Sequence, residues 1–404
     1  MKLWGKIKMK IALYNAKVYV ERERFVEAVL VEDRKIKAIG TNEEILATTD
    51  IDEKIDCEGK TVIPGLNDSH MHIFNFGERM CQVKIGDCES IDEMIDRCKK
   101  YVEENPDSVK HGLYAQGWNQ DYFTDSDRIP TRFDLDKIST EIPVVLERIC
   151  GHILTTNTKT IELLGIDGNS PQYPGGTFEI GEDGYPNGIF AENACNYAKN
   201  VIPKADIKQR KKMFIEASKY AAQHGITTVQ SNDLGTIVFD YPTYFKFFKD
   251  IYNSGEGIIR YRHQISFETV EEFKDYIENG EFKNGKYDED SLIQLGPLKL
   301  FKDGSLGART ALVRGGYKDD PTNNGIEWMS EEVMDEFCKV ASDAGIQVAT
   351  HVIGDGAVEK TIDSYEKTFG EEGNKLRHTL VHCQITDKAL LERIAKLGIV
   401  VSYQ

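Results

Sequence analysis

The sequence has no Cys-x-x-Cys pair, no long apolar run and no excess of positive charge. Its eight cysteines, at 57, 81, 88, 98, 150, 195, 338 and 383, follow no regular spacing. They read as free thiols in a reducing cytoplasm. No stretch approaches the roughly 20 apolar residues of a membrane span, so no membrane partner is expected. The basic opening Met1-Lys2-Leu3-Trp4-Gly5-Lys6 is not followed by the apolar core of a signal peptide. With 67 acidic against 50 basic residues the formal net charge is −17. That argues against nucleic acid or an anionic membrane surface as partner. Histidine is scarce, nine in 404 residues, so the places where it falls carry weight.

The pair His70-Met71-His72 stands directly behind the run Thr61-Val62-Ile63-Pro64-Gly65-Leu66. Residues two apart on an extended strand project to one side. Two imidazoles would thus leave the end of an apolar strand together, as half of a transition-metal site.

The chain has a clear internal rhythm. Residues 9–62 contain short β-rich runs separated by turn residues, and predict a small β-sandwich part over 1–61. From 205 onward strands and helices alternate. Asp206 and Ser330 are candidate helix caps, and Gly225, Gly345 and Gly398 candidate stops. With the first strand counted at 61–66, seven barrel-type strands are legible, the others near 226, 258, 297, 346, 378 and 399. This predicts a (βα)8 TIM-type barrel over 62–79 and 206–404. The eighth strand is missing and the seventh lies at Gln404, so the sequence reads as a truncated form of something longer. Residues 80–205 break the rhythm and predict an α/β insertion after the first barrel strand. Within it, the glycine- and proline-rich stretch from Pro171 to Gly188 is expected to form a long loop or hairpin.

Four features fall at predicted strand ends: His70/His72, Lys299, His351 and His382. Active sites of such barrels are assembled at that face from several strands. A lysine inside an apolar strand is costly unless neutralised or paired. A buried amine of lowered pKa can add carbon dioxide to form a carbamate, an anionic ligand able to bridge two metals. The alternative is an ion pair with Asp303 or another carboxylate. Lys302 is a second candidate, on the opposite strand face. Cys383 adjoins His382, but neighbouring strand residues face opposite ways, which disfavours a Cys–His nucleophile.

These residues resemble the amidohydrolase superfamily. Pro64-Gly65-Leu66-Asn67-Asp68-Ser69-His70-Met71-His72 is similar to its first metal motif. Gly117-Trp118-Asn119, residues 144–152, Gly188-Ile189-Phe190-Ala191-Glu192, residues 298–309, His351-Val352-Ile353-Gly354-Asp355 and residues 377–384 narrow the likeness. They point to the YtcJ-like branch, amidohydrolase family 3, which includes N-substituted formamide deformylases. The resemblance runs across essentially the whole chain.

The resemblance implies that His70 and His72 bind one divalent metal and His351 and His382 a second, zinc by default. A carboxylated Lys299 would bridge them. It implies a metal-activated hydroxide that cleaves a carbon–nitrogen bond of amide type, other than a peptide bond, in a small-molecule substrate. The family's metal-binding, proton-shuttling aspartate would lie beyond Gln404, so no catalytic side chain is assigned within the chain. Two alternatives stay open: a mononuclear, deaminase-like hydrolase, and a catalytically inactive truncated member of the fold. Trp118, His152, Glu192 and Arg309 are candidate substrate contacts. His378 competes with His382 as the sixth-strand ligand, and His382 is nearer the carboxyl end. Asp68 and Asp355 are candidate acceptors for the histidine rings. His111, His224 and His263 are expected to be structural, and a homodimer is one assembly left open.

Overall fold

The computed structural model describes residues 9–124, 126–234, 240–280, 292–370 and 373–403. The chain divides into two compact units, Met1–Phe74 with Ala217–Gln404, and Asn75–Glu216.

The first unit begins with short strands in two small sheets. One orders Lys35–Gly40, Ala28–Glu32, Lys10–Tyr14 and Glu53–Asp56, and the other Arg24–Val26, Lys17–Glu21 and Thr61–Val62. Thr61–Val62 pairs in parallel with Lys17–Val18. The run counted as one strand over 61–66 is therefore split. Proline cannot donate to a ladder, and the pairing stops before Pro64. A new strand begins at Leu66, whose N–H bonds the Gly225 carbonyl at 2.8 Å.

That strand opens a row of seven, all parallel. They are β1 (Leu66–Met71), β2 (Ile226–Ser231), β3 (Arg260–His263), β4 (Leu298–Phe301), β5 (Val348–Val352), β6 (Thr379–His382) and β7 (Val400–Tyr403). Each pairs with the next through a parallel ladder, except between β3 and β4. There Ile293–Gln294 pairs with β3, and Lys299 N–H donates to the Ile265 carbonyl at 2.8 Å. The row is curved enough for its ends to meet, with Ser69 Oγ of β1 2.7 Å from Ser402 Oγ of β7.

Helices separate the strands in sequence, as parallel connections require. Their ends follow from local chemistry. Ser330 caps Glu331–Asp343 through Val333 N–H, Asp387 caps Lys388–Leu397 through Leu390 N–H, and Gly398 stops the latter in the left-handed conformation. β4, β5 and β6 are rich in apolar residues because both faces are covered. Leu298, Leu300, Val348, Ala349, Leu380 and Val381 are all buried.

The second unit holds a five-stranded mixed sheet, ordered Gly176–Ile180, Pro186–Glu192, Ile153–Thr156, Val144–Arg148 and Leu113–Trp118. The Pro171–Gly188 stretch supplies most of an antiparallel hairpin in which Phe178 faces Phe190. Trp118 is wholly buried in this unit's own core with Met94, Leu135 and Leu146. Its Nε1 donates to the Leu146 carbonyl at 2.9 Å, and its ring stacks on Phe123. The packing gives Trp118 a structural role rather than an exposed face for substrate. Trp118→Ala should destabilise this unit by about 3–5 kcal/mol in urea titrations. A variant of unchanged stability would show that the ring is not a core member.

Candidate functional site

The carboxyl ends of β1, β4, β5 and β6 bring together every residue expected to touch metal. Along the row of imidazoles, the His72 and His70 ring centroids are 5.2 Å apart, those of His70 and His382 5.0 Å, and those of His382 and His351 4.6 Å. Along the parallel ladders Lys299 pairs with Ala349, two positions before His351, and His351 pairs with Val381, one position before His382. His382 and the following Cys383 have φ of 71° and 48°. Left-handed backbone is rare for residues other than glycine, and such conformations gather at functional sites.

Three of the rings are oriented by carbonyl oxygens. His70 Nδ1 lies 2.7 Å from Gln264 Oε1, His72 Nδ1 2.6 Å from the Asn232 carbonyl, and His351 Nε2 2.9 Å from the Gly304 carbonyl. A carbonyl oxygen only accepts, so each contact places the proton on that nitrogen. The other ring nitrogen keeps its lone pair, the form a metal requires. Gln264 is fixed in turn, its Nε2 donating to the Ser69 carbonyl at 3.2 Å. Burial, aided by the charge of Lys299, pushes His70 down to about 3; burial likewise pushes His351 down to about 4, against the Gly304 bond. Both rings are therefore neutral near pH 7. The donor chemistry fits divalent metal, although among the described residues no three His, Cys, Asp or Glu side chains converge to enclose one ion unaided.

Lys299 is almost fully buried, and its Nζ donates to the Leu300 carbonyl at 3.2 Å and lies 3.9 Å from the Phe301 ring centroid. Burial pulls its pKa down to about 7. Among the described residues no carboxylate pairs with it. Asp303, the alternative partner, instead accepts N–H bonds from Leu312, Ile353 and Gly354 at 2.8–3.0 Å. Lys302 is equally buried but satisfied, by Glu327 Oε1 at 2.7 Å and the Met329 carbonyl at 2.8 Å. The two lysines thus differ in kind, one ion-paired and the other held neutral-prone by its surroundings.

The remaining candidates separate cleanly. His378 is buried, with Nδ1 accepting from Val348 N–H and Nε2 beside Ser342 Oγ, both at 3.1 Å, so both nitrogens are occupied. His263 is also buried, bonded to Tyr244. Burial raises the Cys383 thiol to about 11, which removes the thiolate a nucleophile would need. Asp68 bonds the backbone N–H of His70, and Asp355 holds Arg314; neither orients an imidazole ring. Arg309 is half exposed and paired with Asp319. In the second unit His152 Nδ1 and Glu192 Oε2 are 3.1 Å apart, both exposed. Gln264, Asn232 and Gly304 were not legible as ring acceptors. Two act through backbone carbonyls, and Gln264 lies far from His70 in sequence. Gln264→Leu should weaken metal binding by about 10- to 100-fold, measured by chelator competition, since it frees the His70 ring. Unaltered affinity would show that Gln264 does not orient the ligand.

The sequence model of the amidohydrolase family matches residues 53–404. YtcJ of Bacillus subtilis (strain 168) is 30% identical over 400 residues, covering 98% of this chain and 73% of that protein. The N-substituted formamide deformylase of Arthrobacter pascens is 24% identical, over 95% of this chain and 70% of its own length. A crystal structure of an uncharacterized metal-dependent hydrolase from Pyrococcus furiosus superposes with a TM-score of 0.75 at 26% identity, covering 97% of this chain and 76% of that one. The chain belongs to the amidohydrolase family, within the superfamily of metal-dependent hydrolases.

Proposed function

We propose that the chain is a metal-dependent hydrolase of a carbon–nitrogen bond of amide type, other than a peptide bond, in a small molecule. The curved row of seven parallel strands is read as a barrel of (βα)8 type with the site at its carboxyl face. The observation that carries this reading is the convergence of four imidazoles with a buried lysine that no carboxylate pairs with among the described residues. His70 and His72 would hold one ion and His351 and His382 a second, with zinc favoured by imidazole donors.

Lys299 completes the set. At a pKa near 7 a large share of its amine is neutral. The nitrogen lone pair can then attack the carbon of carbon dioxide, forming an N–C bond and releasing a proton, to leave a carbamate. This puts an anion where the amine stood, close enough to act on His70 and His351, and favours cations there. The bound metals would supply Lewis acidity and lower the pKa of water. The chain's own part is orientation. Gln264 and the Asn232 and Gly304 carbonyls keep three ligands in the metal-ready tautomer.

The near-equal spacing of the four rings also supports a single-metal, deaminase-like site as a second reading. Modification of Lys299 separates the two. No helix among the described residues is long and apolar enough to cross a membrane, and all eight cysteines are free, which supports the proposal of a cytoplasmic enzyme. The test is hydrolysis of a panel of formamides, cyclic amides and other carboxamides by zinc-loaded and chelator-treated protein. Zinc-dependent release of amine from any member supports the proposal. Hydrolysis of none, or hydrolysis indifferent to the chelator, contradicts it.

A further inference from the structure

Behind the His70/His72 pair lies a buried polar chain that the proposed reaction does not use. Asp233, Tyr261, Tyr244 and His263 are all wholly buried, within a cage that includes Phe245 and Phe248. Tyr261 donates to Asp233 Oδ2 at 2.5 Å, Tyr244 lies 3.0 Å from Tyr261, and His263 Nδ1 lies 2.9 Å from Tyr244. Since the Tyr261 proton goes to Asp233, Tyr244 must donate to Tyr261, and His263 to Tyr244. The chain therefore runs in one direction, from imidazole to carboxylate.

Its far end grips the segment that carries His72. Asp233 Oδ1 accepts from Phe74 N–H at 3.3 Å. The preceding residue, Asn232, offers the carbonyl bonded by the His72 ring, and its side chain donates to the Gln264 carbonyl at 2.7 Å. Ser231 Oγ accepts from Ile73 N–H at 2.9 Å and donates to the Met71 carbonyl at 3.1 Å. Three consecutive residues at the end of β2 thus hold residues 71–74 from both sides of His72. Asn232 is braced through its side-chain bonds to the Gln264 carbonyl and Ser266 Oγ, and Asp233 through the tyrosine–histidine chain.

We infer that Asp233 is a positioning residue for His72, held in place by the Tyr261–Tyr244–His263 chain. This rests on the metal-site reading above. A buried polar network costs stability relative to a well-packed apolar one, so its presence requires either a structural or a functional account. A structural account predicts that cutting the chain affects stability and leaves the folded site alone. The positioning account predicts that metal at the His70/His72 pair suffers more than at the other pair, because the chain leads through Asp233 to the segment that carries His72.

The experiment is zinc affinity, by competition with a chromophoric chelator, for the wild-type chain, Tyr261→Phe and Tyr244→Phe. Near-UV circular dichroism establishes that each is folded. Tyr261→Phe is expected to weaken one zinc equivalent by about 10- to 100-fold and the other less. Tyr244→Phe, one bond further away, should weaken the same equivalent by about 10-fold, the low end of that range. It decides the matter if Tyr261→Phe fails to fold. Wild-type affinity at both equivalents in the folded variant, or equal loss at both, overturns the inference while leaving the metal reading intact. No zinc uptake by the wild-type chain overturns both.

Discussion

Lys299→Ala is expected to lower bound zinc from about two equivalents per chain to one or fewer, and to reduce any hydrolysis by more than about 100-fold. The side chain is buried with no carboxylate partner among the described residues, and its low pKa follows from burial. Alanine removes the costly amine, so the folded state should be retained or even gain stability while the site is lost. Few substitutions separate function from stability so sharply. Intact-mass analysis of the wild-type chain offers a second readout, an increment of one carbon dioxide that disappears in the variant and on acid treatment. Retention of two equivalents by folded Lys299→Ala would remove the carbamate from the account.

Acidification gives the second large effect, to which His378 contributes together with the other buried histidines His70, His263 and His351. Burial pushes the His378 ring down to about 4, whereas an unfolded histidine titrates near 6.5. The unfolded chain therefore takes up a proton below pH 6.5 that the native ring refuses, and stability falls with falling pH. The loss starts near pH 6.5 and is complete near pH 4. Over that interval it amounts to about 3 kcal/mol at 1.36 kcal/mol per pH unit. Protonating Nδ1 would also break the bond from Val348 N–H. In metal-free protein, His378→Gln should flatten this acid limb, measured by urea titration at several pH values, although its stability at pH 8 falls. An acid limb of unchanged slope would show that His378 does not titrate as its burial requires.

The strand-end histidines and the lysine were legible because each belongs to a local pattern. His-x-His follows an apolar run, and Lys299, His351 and His382 each terminate or interrupt one. Period and chemistry coincide at these positions, so the sequence alone brings them to one face. Strand limits were less legible. Pro64 and Gly65 sit inside an apolar stretch, and only the pairing of Thr61–Val62 with Lys17–Val18 shows that two strands meet there. The supporting groups were hidden for a different reason. Gln264, Asn232 and Asp233 are ordinary polar residues after strands, and their roles arise only when β1, β2 and β3 lie side by side. Trp118 illustrates the converse. A family-like motif marked it, yet the ring fills a core. His152 and Glu192, marked separately, are instead partners of each other.

Metal content tests the proposed metal centre most directly. Elemental analysis of folded, chelator-free protein after zinc loading and desalting should give about two zinc ions per chain, the number that two histidine pairs and a bridging anion can hold. A folded chain that retains none would contradict the metal centre and the hydrolase built on it.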